Sequence, residues 1–159
     1  MVKDDAAGRE AWLRVVQLLR SEENQRRFAG TAEAVGLTRT GLHALMCIHP
    51  GEARPMGALA EEWHCDPSNV TSLVDQLEER SLVERRVVAA DRRVRTVALT
   101  EVGAKTRQRA MDLLSVPPAS FATLTAAERR TLRDLLRKVT AHLPPAAIAE
   151  LDRHATAGS

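Results

Sequence analysis

The chain has no tyrosine, and only two tryptophans and two phenylalanines among its 159 residues. Its core must therefore be aliphatic, drawn from the Leu, Val and Ala that contribute to a hydrophobic content of 44%. Proteins that hold single-stranded nucleic acid stack bases on exposed aromatic rings, so the shortage argues against that class. Cysteine is equally scarce. Cys47 and Cys65 form no framework of the kind that staples small secreted domains. No stretch approaches the ~20 apolar residues of a membrane span, and the opening MVKDDAAGRE lacks the apolar centre of a secretory leader. These absences predict a soluble cytoplasmic protein with no membrane partner. There is no glycine-rich phosphate loop and no nucleophile–base motif, and the five histidines are scattered. The pattern points away from an enzyme and gives no cofactor to expect.

A length of 159 residues suits one domain, or one domain with an oligomerisation element. The net charge of +2 calls for no nucleic-acid partner by itself. Its distribution is more informative. Between Glu84 and Arg95 stand Arg85, Arg86, Arg92, Arg93 and Arg95 against Glu84 and Asp91, a local excess of three positive charges.

Punctuation divides the chain. Trp12, Val15, Val16 and Leu19 recur at helical spacing, which predicts one long first helix ending near Gly36, a residue suited to the left-handed position after a helix. Thr38 is placed to cap a second helix carrying Leu42, Leu45, Met46 and His49, broken by PGEARP. MGALAEEWH reads as a short third helix burying Leu59, Ala60 and Trp63, so that Trp12 and Trp63 both read as core. Asp66 followed by Pro67 starts a fourth, because the missing proline N–H costs nothing in the first turn. Val70, Leu73, Val74 and Leu77 form its apolar stripe. Two short helices so tightly joined predict a helix-turn-helix. VERRVV and RTVALT then read as two strands around an arginine-bearing tip. Thr100 caps a fifth helix over 101–115. Thr125 and Glu128 make a capping box for a sixth, with Leu132, Leu135, Leu136, Val139 and Leu143 on one stripe. The expected order is ααααββαα.

The outer face of the fourth helix carries Pro67, Ser68, Asn69, Thr71, Ser72 and Gln76. Such a face suits plain solvation, and equally suits base reading in a major groove. There Asn and Gln pair bidentately with adenine, hydroxyls serve phosphates or bases, and proline touches a thymine methyl. An arginine-rich hairpin beside it supplies charge for the narrow minor groove. The first, fifth and sixth helices carry more apolar surface than one small lobe covers, which predicts burial against a second copy.

LAEEWHCDPSNVTSLVDQLEERSLVERR followed by DRRVRTVALTEVG resembles the MarR family of bacterial transcriptional regulators over nearly the whole chain. The family's wing pattern, Asp-x-Arg and then Leu-Thr, is matched by Asp91, Arg93, Leu99 and Thr100. Ser81 stands where the family usually carries glycine. The resemblance implies a mainly α fold with a small β-hairpin: a winged helix-turn-helix core over 37–100, flanked by N-terminal (1–36) and C-terminal (101–145) dimerisation helices, with a tail over 146–159. It also implies a homodimer on the double-stranded DNA of a pseudo-palindromic operator, with repression released by a small molecule, oxidant or metal. Arg93 is the expected minor-groove residue and Arg92 its competitor. Asp91 is expected to orient an arginine.

Sensor candidates are sparse. His43 and Cys47 stand four residues apart, a chelating or pocket-lining spacing, but no third metal ligand accompanies them. An effector pocket lined by Trp12, His43 and Cys47 follows from the resemblance. Cys65, in the turn before the fourth helix, is a redox candidate or a small buried hydrophobe. A winged helix used only for protein contact and a thiol-based redox regulator stay open as alternatives.

Overall fold

The computed structural model describes residues 5–63, 65–88 and 91–142; the side chains of Val88 and of Asp91 to Val94 lie outside the description. The elements are α1 (Ala6–Leu19), α2 (Glu22–Ala34), α3 (Arg39–Met46), β1 (Ala53–Pro55), α4 (Met56–Trp63), α5 (Pro67–Glu79), β2 (Val83–Val88), β3 (Asp91–Leu99), α6 (Glu101–Ser115), a short 3-10 segment (Ala119–Thr123) and α7 (Ala126–Thr140). They fall into two compact units, one spanning Arg27–Ala110 and the other combining the chain up to Arg26 with the chain from Met111.

The Arg27–Ala110 unit is a winged helix-turn-helix. Its core gathers Leu45, Ile48, Leu59, Val70, Val74, Leu77, Val83 and Val97, each at most 2% exposed. Burying each such side chain contributes roughly 1.5–3 kcal/mol. α5 is held by its underside, since Val70, Val74 and Leu77 come from one stripe and half-buried Leu73 packs beside them. Pro67 occupies its first turn as expected. Asp66 takes the extended cap conformation but makes no side-chain cap bond. A second cluster of Ala32, Leu42 and Ala110, with Phe28, Val35 and Met46 around it, seats the end of α2 on α3.

The sheet has the order β1-β3-β2, all antiparallel. β1 corrects the two-stranded reading. It is three residues long, ends in proline and pairs Ala53 with Ala98, so neither length nor alternation announces it. The single first helix is also corrected: the chain breaks at Arg20–Ser21 into α1 and α2. Ser21 Oγ accepts from Asn24 N at 3.3 Å, and the Asn24 side chain donates to Leu18 O at 2.9 Å. A serine followed by Glu22 and Glu23 is a helix-start signal, with acidic residues on the positive end of α2.

In the other unit, Thr125 and Glu128 complete their capping box on α7. Neither α1 nor α7 buries any described residue. Trp12 is 62% exposed and Val139 65%, which corrects the reading of Trp12 as core. The last residue of the α7 stripe, Leu143, lies outside the described residues.

One junction joins α5, the sheet and α6. Ser81 closes α5 at φ +57°, the only non-glycine residue with positive φ among those described. Its carbonyl accepts from Thr100 Oγ1 at 2.6 Å, and Gly103 N donates to that threonine Oγ1 at 2.9 Å. A Cβ on Gly103 would stand 1.8 Å from Leu82 O, which explains physically the Leu-Thr-x-x-Gly run. Gly103→Ala is therefore expected to destabilise the fold by roughly 1–3 kcal/mol, the scale of core overpacking. Ser81→Gly should raise stability by up to about 1 kcal/mol, by relieving left-handed strain. Urea unfolding of both variants checks this; shifts of the same sign would contradict the junction described.

Candidate nucleic-acid interface

Fixing α5 by Val70, Val74 and Leu77 leaves its opposite side to solvent. Pro67, Ser68, Asn69, Thr71, Ser72 and Gln76 are all exposed. By the helical period Ser68, Ser72 and Glu79 lie farthest from Val70, Val74 and Leu77, and Asn69 and Gln76 lie on the adjoining flank toward Leu73. Gln76 Nε2 lies 3.5 Å from Ser72 Oγ, and Ser68, Asn69, Ser72 and Gln76 together form an exposed polar strip. Thr71 sits at the edge of the strip, its hydroxyl donating to Pro67 O at 3.0 Å.

The hairpin brings its arginines to different places. Arg86 and Arg95 are exposed. Arg86 Nε donates to Glu84 Oε1 at 2.7 Å on the outer face. Arg85 instead turns toward α5. It pairs with Asp75 and Glu78, and its backbone N–H donates to Glu78 Oε1 at 3.2 Å. The hydrogen bond to Asp75, aided by the charges of Asp75 and Glu78, raises the affinity of Arg85 for its proton above an arginine's ordinary value. The backbone at Asp91, Arg92 and Arg93 belongs to β3, while their side-chain roles lie outside the described residues. A register irregularity between Val87 and Val88 marks the approach to the tip.

A cleft of about 450 Å³ lies between α3 and α5. Thr38, Thr40 and His43 form one wall, Asn69, Ser72 and Gln76 another, and Trp63 and Cys65 are part of its lining. His43 and Cys65 thus meet at one cleft. Cys47 is the C-cap of α3, and Trp12 belongs to the other compact unit. No group of three His, Cys, Asp or Glu that could hold a metal ion occurs among the described residues. Burial pushes the Cys47 thiol above its ordinary range, and the Glu62 carboxylate adds to the effect; the Trp63 indole, Arg107 and Arg54 act the other way.

Two contributions were not apparent from sequence. Asp75 and Glu78 bind Arg85; the signal available was alternation, which puts Arg85 on the inward face with Val83. Arg107 is 4% exposed and donates to Met46 O at 2.9 Å, at the end of α3. Partners so distant along the chain leave no local pattern.

A helix seated on an aliphatic core, polar outside and flanked by a basic hairpin, defines a winged helix-turn-helix protein. The comparisons agree. The MarR family model matches residues 37–94. A protein of Thauera aromatica assigned the role of transcriptional regulator of the hcr operon is 30% identical over 118 residues, 72% of this chain and 70% of that protein. The apo form of wild-type MarR from E. coli is 25% identical with a TM-score of 0.65, covering 82% of this chain and 96% of that one. A MepR point mutant from S. aureus, bound to an oligodeoxyribonucleotide, shares the fold at 20% identity and a TM-score of 0.59, over 84% and 98% of the two chains. The chain belongs to the MarR family of transcriptional regulators. No helix among its described residues is long and apolar enough to cross a membrane.

The raised Cys47 value has a measurable consequence. The thiolate is the reactive form, and raising the pKa lowers its fraction at neutral pH. In a Cys65→Ser variant, Cys47 should react with iodoacetamide more slowly than free glutathione does. Its rate should climb only at a pH above the range of an ordinary thiol. Labelling as fast as the free thiol at pH 7 would contradict the burial described.

Proposed function

We propose that this protein is a homodimeric, sequence-specific regulator of transcription that binds double-stranded DNA at a pseudo-palindromic operator. The observation that carries the reading is the exposed polar strip along α5, whose opposite side is locked into the core. The major groove admits one helix in this way. Asn69 and Gln76 offer bidentate pairing to adenine. The hydroxyls of Ser68, Thr71 and Ser72 serve phosphates or base edges, and Pro67 offers a thymine-methyl contact. The hairpin tip enters the adjacent minor groove with Arg93, or Arg92 in its place, while Arg86 and Arg95 add charge along its flank. Asp91 orients an arginine.

The dimer reading is supported by the apolar surface of the terminal helices. Trp12, Leu13 and Leu19 on α1 and Leu135, Leu136 and Val139 on α7 are each more than two-fifths exposed. That surface is unfavourable in water and is covered by the same surface of a second copy. The hcr operon assignment of the T. aromatica relative and the oligodeoxyribonucleotide held by the MepR mutant accord with a regulator of this fold that works on DNA. Its action is repression, relieved by a small molecule or an oxidant. Trp12, His43 and Cys47 are the effector-pocket candidates, and Cys65, beside α5, is the thiol candidate.

Gel shifts against DNA upstream of the protein's own gene, at two salt concentrations, test this reading. Arg93→Ala should weaken binding to every duplex and flatten the salt dependence by about one phosphate-equivalent. Asn69→Ala should relax base preference at one position by roughly 1–3 kcal/mol. Binding without sequence preference, or a monomer by light scattering at micromolar concentration, would overturn the proposal.

A further inference from the structure

Arg85 stands among the basic residues of the hairpin, yet its geometry separates it from them. In β2 it pairs with Val97, and Val83 pairs with Leu99. Residues opposite one another in an antiparallel pair share a face, as do alternate residues of a strand. Val83 and Val97 are 2% and 0% exposed, so Arg85 projects from the inward, core-bearing face. Glu84 and Arg86 occupy the outer one. An arginine on the inward face needs partners, and α5 provides them.

Thr71, Asp75 and Glu78 follow the i, i+4, i+7 rule and line one flank of α5, between its buried stripe and its polar strip. Arg85 engages all three. One terminal nitrogen binds Asp75 Oδ1 and lies 3.5 Å from Thr71 O; the other binds Glu78 Oε2. The Arg85 side chain is 22% exposed. A planar guanidinium fork engaging two carboxylates and a carbonyl is committed to α5, and a lysine could not reproduce it.

We propose that Arg85 is a positioning residue for DNA recognition: a strut that sets the rotation of α5 against the hairpin, rather than a contact to the phosphate backbone. It also offsets one of the two negative charges of Asp75 and Glu78, whose side chains stay 51% and 39% exposed. Both effects act through α5, so they bear on discrimination between sequences. The inference rests on the DNA-binding reading given above.

The test uses the full-length protein and a duplex that the wild type enriches from a randomised pool, with a scrambled duplex as reference. Arg85→Ala, Arg85→Lys and the pair D75N/E78Q are compared. Each is expected to lower the ratio of selected to scrambled affinity by roughly tenfold, the value of one charge-assisted hydrogen bond. The slope of log affinity against log salt should stay at the wild-type value. D75N/E78Q should bind the scrambled duplex at least as well as the wild type. Thermal melting confirms that each variant is folded, and R85K, which keeps stem and charge, answers the question if R85A does not fold. The proposal is overturned if R85A flattens the salt slope by about one, if R85K keeps the wild-type ratio, or if D75N/E78Q keeps it. Failure of the wild type to enrich any sequence would instead refute the DNA-binding reading itself.

Discussion

A helix can offer one side to a groove only when its opposite side cannot turn, and here that constraint rests on three residues. Val70, Val74 and Leu77 sit at 0–1% exposure against the Leu45, Ile48, Leu59, Val83 and Val97 of the same core. With almost no aromatic residues to fill space, the core depends on close packing of branched aliphatic side chains, which tolerates little rotation of the helix that contributes to it. The polar strip of Ser68, Asn69, Ser72 and Gln76 is exposed because those apolar residues are not.

The two ends of α5 are held differently. Pro67 starts it, and Ser81 ends it in the left-handed region. Beyond that turn the Thr100 hydroxyl holds the Ser81 and Leu82 carbonyls while capping α6. The Arg85 fork grips the flank of the helix between these ends. Strand, helix and the start of α6 therefore share a few hydrogen-bonded atoms. Arg107, bonded to Met46 O, ties α6 in turn to the end of α3.

Much of this was legible in the residues. Asp66-Pro67 located the start of α5, Thr38, Thr100 and the Thr125–Glu128 box located three other helix starts, and the resemblance of the 56–103 stretch to MarR regulators was correct. These are local signals, carried by side chains a few positions from the backbone groups they satisfy. The break at Ser21 was equally local, with Glu22 and Glu23 to announce it, but the run of apolar spacing through Leu19 masked it. β1 was hidden for another reason: three residues ending in proline have no period, and form a strand only because β3 lies beside them.

The sequence by itself determined most of the helix starts, where the polar strip of the fourth predicted helix lies and that positive charge gathers downstream of it. Each of these follows from periodicity and capping over a few residues. Only the tertiary structure separated Arg85 from Arg86. Five arginines within one hairpin are chemically alike along the chain. Pairing Arg85 with Val97 turned it inward to Asp75 and Glu78, whereas Arg86, one residue on, was turned outward to Glu84. The same holds for Trp12, whose stripe promised a core. The fold leaves Trp12 62% exposed among the described residues, although Val15 and Val16 of the same stripe are half-buried. Whether an apolar stripe is core or interface depends on what packs against it, and that is a property of the folded surface, not of the spacing.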